Sequence, residues 1–201
     1  MSDYAYRIVN VFAVPGQPLT GNPLCVFEAG SGLSDRTMQA LALQLNLSET
    51  TFILPSERAD ARVRIFTPTF EMPFAGHPTL GTAHVLRALT GKATLQLEML
   101  AGLIGVRSDG DRWTLRANAP STRPVEASRA QLAQMLGLDE DDVSEPALWV
   151  NTGSEQLIVP LTSAAAVERC RPVGEQLQQY GKLHEGRYLV YVFAHTGERD
   201  V

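Results

Sequence analysis

Glu49, in the stretch "LNLSETTFIL", is a carboxylate set between an apolar helical run and an apolar strand-like run. A carboxyl group so flanked is partly desolvated, which raises its pKa toward the range where it can both donate and accept protons. His77, in "EMPFAGHPTLGTAHVLRALTG", is followed by a proline and a run of small or apolar residues. A helix opening at "AGH" presents unpaired backbone N–H groups and the positive end of the helix dipole, which together favour a carboxylate or phosphate. Gly76 permits close backbone approach there. The same residues also admit plainer readings, with Glu49 a surface or capping glutamate, "FAGHP" a tight turn and His77 a capping side chain satisfied by a carbonyl.

Other chemistries fit less well. His77 and His84 share a helix face, but seven residues at about 1.5 Å each separate them by roughly 10 Å along the axis. That is too far for two ligands of one ion with bonds near ~2 Å, and no metal site is expected. Cys25 and Cys170 lie far apart and in no CxxC spacing, so they read as two buried thiols. There is no GxSxG, and neither cysteine stands near a histidine in sequence or at an evident helix N-terminus. The acidic "DEDD" at Asp139 to Asp142 lacks the interleaved Asn and Gly and the distal Glu of a calcium loop, and reads as a solvated connection.

The elements that must position Glu49 and His77 are legible around them. "YRIVNVFA" and "NPLCVFEA" are β-branched and aromatic runs joined by the Pro/Gly cluster "VPGQPLTG", hence two strands and a loop. Ser34 is a good N-cap, and Met38, Leu41, Ala42 and Leu45 fall at helical spacing, so a helix is predicted over Asp35–Leu45. "TTFIL" and "RVRIFTP" then read as strands. Pro78 fits a first helical position and Gly91 a helix stop, which predicts a helix over about 78–90. With Arg87 and His84 its only ionisable groups past the entrance, this helix belongs in the interior of a curled sheet, where Gly81, Thr82 and Ala83 let strands come close. "TLQLEML", "LIGVRS" and "RWTLRA" alternate with period two, with Asp109-Gly110 as a tight turn between the last two.

"NAPSTRP", residues 118–124, has no periodicity and reads as a domain boundary between a domain over 1–118 and a second over 125–201. The second begins with Ser128 capping the helix "RAQLAQML", closed by Gly137. "SEQLIVPLTSAAAVERCRPVGEQLQQYGKLHEGRYLVYVFA" repeats the strand, turn, helix, strand order of "NPLCVFEAGSGLSDRTMQALALQLNLSETTFIL", which suggests two similar units.

The whole chain narrows the partners. Its 201 residues are 44% hydrophobic with a formal net charge of −5, an ordinary globular composition. No run of Lys or Arg marks a nucleic-acid or anionic-membrane footprint. No apolar stretch approaches the roughly 20 residues of a membrane helix, and "MSDYAYRIVNVF" has no signal-peptide pattern, so a cytoplasmic location is expected.

Taken in order, "GNPLCVF", "LNLSETTFI", "RIFTPTFEMPFAGHPTLGTAHVL" and "NTGSEQLIVPL" resemble the PhzF-like family of phenazine-biosynthesis isomerases and their epimerase-like relatives, over essentially the whole chain. The resemblance implies an α+β fold similar to diaminopimelate epimerase: two pseudo-symmetric domains of mixed β-sheet curled round a central helix, with the active site in the cleft between them. It implies that Glu49 is the acid/base, that His77 is the active-site histidine, and that Gly76, His77, Pro78 and Thr79 form the helix entrance receiving a substrate carboxylate, with Asn22 of "GNP" shaping the cleft. The implied chemistry is cofactor-free isomerisation or epimerisation of a small carboxylate-bearing metabolite by a homodimer. The two-thiol mechanism of the epimerase branch is not available, because Ala75 stands before Gly76. Family members continue into an "EDPATGSA"-like segment bringing an aspartate to the cleft; Asp200 does not match it, so the second domain is expected to be incomplete and to lack its central helix. The alternative is a non-catalytic small-molecule binding or dimerisation module that keeps the fold.

Overall fold

The structure is a computed structural model and describes residues 3–183, 187–195 and 197; Asp200 lies outside the described residues. The chain divides into two compact units, Met1–Asn118 and Ala119–Val201.

In the first unit, β1 (Tyr6–Val11) pairs antiparallel with β2 (Asn22–Phe27), Ile8 opposite Cys25. The loop between them closes on Gly21, where a Cβ would stand 2.4 Å from the Val11 carbonyl oxygen. The helix α1 (Asp35–Leu45) has the bounds its pattern predicts. The Ser34 hydroxyl accepts from the Thr37 N–H at 3.1 Å, and Asn46 ends the helix in the left-handed region at φ 51°. That sharp stop turns the chain into β3 (Glu49–Leu54), parallel to β2 with Leu24 opposite Glu49. Next come β4 (Ala61–Phe66), antiparallel to β3, and the two-residue β5 (Glu71–Met72) paired to it. After the helix α2 (Gly76–Thr90), β6 (Thr94–Met99) returns parallel to β4, and β7 (Gly102–Asp109) and β8 (Arg112–Arg116) follow as an antiparallel meander.

These strands form one mixed eight-stranded sheet in the order β1-β2-β3-β4-β6-β7-β8, with β5 on β4. The period-two alternation of its central strands feeds two cores. Leu24, Val26, Ile53, Val63 and Ile65 face α2, whereas Cys25, Phe27, Phe52 and Phe66 face Met38 and Ala42 of α1, with the Phe27 and Phe52 rings stacked at 4.7 Å. Helix α2 touches β1, β2, β3, β4 and β8, as its apolar character predicts. Gly81 is the point of closest approach: a Cβ there would stand 2.6 Å from Leu24 Cδ2 and 2.8 Å from Val11 Cγ2. The helix begins earlier than predicted, at Gly76, so Pro78 is its third residue and not its first. The proline rule still holds physically, because every N–H of the first turn lacks an intrahelical acceptor.

In the second unit, β9 (Ser121–Pro124) and the helix α3 (Arg129–Leu136) precede a single 3-10 turn at Glu140–Asp142. β10 (Leu148–Asn151), β11 (Glu155–Leu161), the helices α4 (Ala164–Arg169) and α5 (Gly174–Tyr180), and β12 (Val190–Ala194) complete it. The sheet order is β12-β11-β10-β9. The stretch read as a boundary therefore contains a strand: residues 121–124 pair antiparallel with β10, all four exposed, so no alternation betrays them. The repeated element order is present, since β11 and β12 are parallel across a helical crossover as β2 and β3 are. The crossover helix is broken in two around Pro172, which cannot donate to a continuing helix. Asp142 of the acidic turn accepts from Arg169 at 2.6 Å, and Arg129 lies 3.4 Å from both Glu140 and Asp141, so the "DEDD" cluster is tied into ion pairs.

Candidate active site

Glu49 is the first residue of β3 and alternates with Thr51 and Ile53 on the face toward α2. Two contacts fix how helix and strand run together. The hydroxyls of Thr51 and Thr82 meet at 2.8 Å, and Glu49 Oε2 lies 3.3 Å from His77 Nδ1. Two strand residues advance about 7 Å and five helix residues about 7.5 Å, so the pairs 49–77 and 51–82 match only if α2 runs in the direction of β3. The start of the strand thus meets the start of the helix. The segment leading into α2 is held by Arg64, which donates to both carboxylate oxygens of Glu71 at 2.7 and 2.6 Å, by burial of Phe74, and by the Ala101 N–H on the Pro73 carbonyl at 3.1 Å.

The Glu49 and His77 side chains are 15% and 9% exposed. Oε2 of Glu49 and Nε2 of His77 are buried without a hydrogen-bond partner, and the 3.3 Å contact between the two residues is not aligned as a hydrogen bond. Burial acts on both groups in the direction of neutrality. It raises the Glu49 carboxyl above its ordinary value and lowers the His77 imidazole below its own. A carboxyl group with a raised pKa beside an imidazole that burial holds toward its neutral form suits proton transfer to and from carbon.

Asn22, first residue of β2, points to the same place. Its Nδ2 is 3.5 Å from His77 Nδ1 and its Oδ1 accepts from Ser48 Oγ at 3.0 Å. Gly76 is exposed, and a Cβ built on it meets nothing within 4 Å, so the space above the helix entrance is open. The preceding Ala75 offers no capping side chain, which leaves the first N–H groups of α2 free for an acceptor from outside. Pro78 and Thr79 are placed differently. Both are buried, and Thr79 commits its hydroxyl to the Ala75 carbonyl at 2.6 Å and its N–H to the same oxygen at 3.3 Å. The structure therefore brings together Asn22, Glu49, Gly76 and His77 and turns Pro78 and Thr79 into the core. Ser48 is the member that sequence reasoning passed over; its only signal was a hydroxyl directly before Glu49 in "LSET".

A cleft of about 550 Å3 in the first unit lies elsewhere. It opens over Leu80, Gly81 and His84 of α2 between β1 and Trp113 of β8, and neither Glu49 nor His77 lines it. That cleft is lined by His84, Asp111 and Arg112 besides Val9, Val11 and Leu80, whereas the buried carboxyl and imidazole 3.3 Å apart, Glu49 and His77, stand at the helix entrance.

An α+β unit that curls a mixed sheet round a buried helix is a fold shared with solved structures of the PhzF family and of epimerases. A predicted epimerase from Pseudomonas aeruginosa superposes with a TM-score of 0.76 at 31% identity, covering 97% of this chain and 70% of that one. A PhzF-family phenazine biosynthesis protein of Bacillus anthracis gives 0.74 at 30% identity, covering 89% and 63%. A hydroxyproline epimerase from Agrobacterium vitis shares the fold alone, at 12% identity and a TM-score of 0.51 over 77% of this chain and 51% of that one. The chain belongs to the PhzC-PhzF family of phenazine biosynthesis-like proteins, whose family model matches residues 9–198. Among curated relatives it is 40% identical to an uncharacterized isomerase of Pasteurella multocida over 96% of this chain and 66% of that protein. It is also 40% identical to the trans-2,3-dihydro-3-hydroxyanthranilate isomerase of Pseudomonas aeruginosa over 84% and 61%. The chain thus spans just under two thirds of the length of these relatives.

Proposed function

We propose that this protein is a cofactor-independent isomerase or epimerase that moves a proton on a small carboxylate-bearing metabolite, with Glu49 as the acid/base. The observation that carries the reading is the buried Glu49 carboxyl, 3.3 Å from His77 at the mouth of a helix that has no side-chain cap and open space beside Gly76. The substrate carboxylate binds the N–H groups of Gly76 and His77, where the helix dipole favours it. Glu49, ionised, takes a proton from the carbon near the activating group. Its burial-raised pKa then lets it return that proton to another carbon of the same molecule. His77 stays neutral, so it does not hold Glu49 permanently in the charged form.

The test follows trans-2,3-dihydro-3-hydroxyanthranilate, the substrate in the name of one relative, in heavy water by mass spectrometry. Deuterium enters the carbon skeleton with the wild-type protein, and Glu49→Gln slows entry by about 10²–10⁴-fold, the range of a lost general acid/base. Exchange at the wild-type rate in Glu49→Gln would overturn the role of Glu49. Saturable binding without any exchange, across a panel of small carboxylic acids, would leave a binding module and remove the enzyme.

A further inference from the structure

Two groups compete for Nδ1 of His77, and they demand opposite things of it. Oε2 of Glu49, 3.3 Å away, would want a proton on Nδ1; the amide nitrogen of Asn22, 3.5 Å away, wants a lone pair. The geometry favours the second. The Asn22 amide lies at the outer limit of hydrogen-bond distance from Nδ1, whereas a proton placed on Nδ1 is not directed at Oε2, which remains without a partner. In the orientation the Asn22 amide holds, the Ser48 hydroxyl donates to Oδ1 at 3.0 Å and Nδ2 is turned toward His77.

From this geometry we infer that Ser48 and Asn22 act as a positioning pair that keeps Nδ1 of His77 an acceptor, so that the imidazole carries its proton on Nε2 and forms no ion pair with Glu49. The inference deepens the proposed acid/base reading and rests on it for its purpose. A protonated Nδ1 beside Glu49 would stabilise the carboxylate and drive its pKa down. An amide N–H aimed at Nδ1 opposes that proton, because two donors would then face each other. Burial also disfavours the imidazolium, in agreement with this arrangement. Asn22 thus touches the reaction only through His77, and Ser48 only through Asn22.

The test reads the proton directly and needs no turnover. In the 201-residue chain labelled with 15N-histidine, two-dimensional NMR distinguishes a ring nitrogen that bears a proton from one that does not. His77 is expected to show an unprotonated Nδ1 and a protonated Nε2. Asn22→Ala and Ser48→Ala should each move His77 toward the Nδ1–H tautomer, Asn22→Ala further, with Asn22→Gln restoring part of the wild-type signature. A proton on Nδ1 in the wild-type protein overturns the inference, and so does a His77 signature unmoved by both alanine variants. Should Asn22→Ala fail to fold, Ser48→Ala and the wild-type spectrum decide alone, since Ser48 is exposed. The isomerase reading fails separately: loss of it appears as absent deuterium exchange with the tautomer intact, whereas loss of this inference appears in the spectrum whatever the exchange rate.

Discussion

At the scale of residues, the site stores unfavourable protonation energy, and its sign can be worked out. Glu49 has an ordinary pKa of 4.5, raised in the folded protein by burial. Between the unfolded and folded values the native state binds more protons than the unfolded chain, so stability falls as pH rises through that window. His77, lowered by burial from 6.5, does the reverse: the unfolded chain binds more protons below 6.5, and stability is lost as pH falls through the folded value. Glu49→Gln removes the first effect and leaves the second. The variant should therefore be more stable than the wild type at pH 7.5, with the gain shrinking toward pH 4, when melting temperatures are compared across that range. A gain that is equal at both pH values would show that Glu49 does not titrate upward, and the acid/base argument would lose its footing.

Among the elements, two glycines of one helix separate ligand space from packing space. A Cβ on Gly76 meets nothing within 4 Å, whereas one on Gly81 meets Leu24 and Val11 below 3 Å. Gly81→Ala should cost about 1–3 kcal/mol, the usual penalty for overpacking. Gly76→Ala should leave stability within about 0.5 kcal/mol, as a surface change does, yet weaken carboxylate binding by filling the open helix entrance. Urea titration of both variants, with KM for exchange measured on Gly76→Ala, separates the two roles. Equal stability losses in the two would remove the claim that the entrance is open. Much of this framework is legible in the sequence where a local physical rule acts alone. Helix α1 follows from its Ser34 cap and apolar spacing, and the close approach at Gly81 from the small residues of a largely apolar helix. The rules fail where partners are distant. Strand β9 is exposed along its length and owes its form to pairing with β10. Pro78 satisfies the proline rule equally at the third position as at the first, so the helix start was two residues off. Ser48 acquires its role from Asn22, 26 residues away, which no spacing in the sequence announces.

For the whole molecule, the site and the second unit draw on different cores. Asn22, Ser48, Glu49, Gly76 and His77 all belong to residues 1–118, and the clusters built on Leu24, Leu97 and Phe52 contain only residues of that unit. The second core, around Leu136, Leu157, Val159 and Trp149, draws on residues 125–194 alone. Leu157 on β11 is fully buried, so Leu157→Ala opens a cavity costing about 2–5 kcal/mol. If the cores are energetically separate, that loss stays local. Amide hydrogen exchange should then quicken across β10, β11 and β12 while β2, β3 and α2 keep their protection, and the 15N signature of His77 should not move. Uniform loss of protection in both units would mean that the cores unfold as one. The geometry of Glu49 and His77 would in that case depend on the second unit for its stability, although the second unit supplies none of the residues so far placed there.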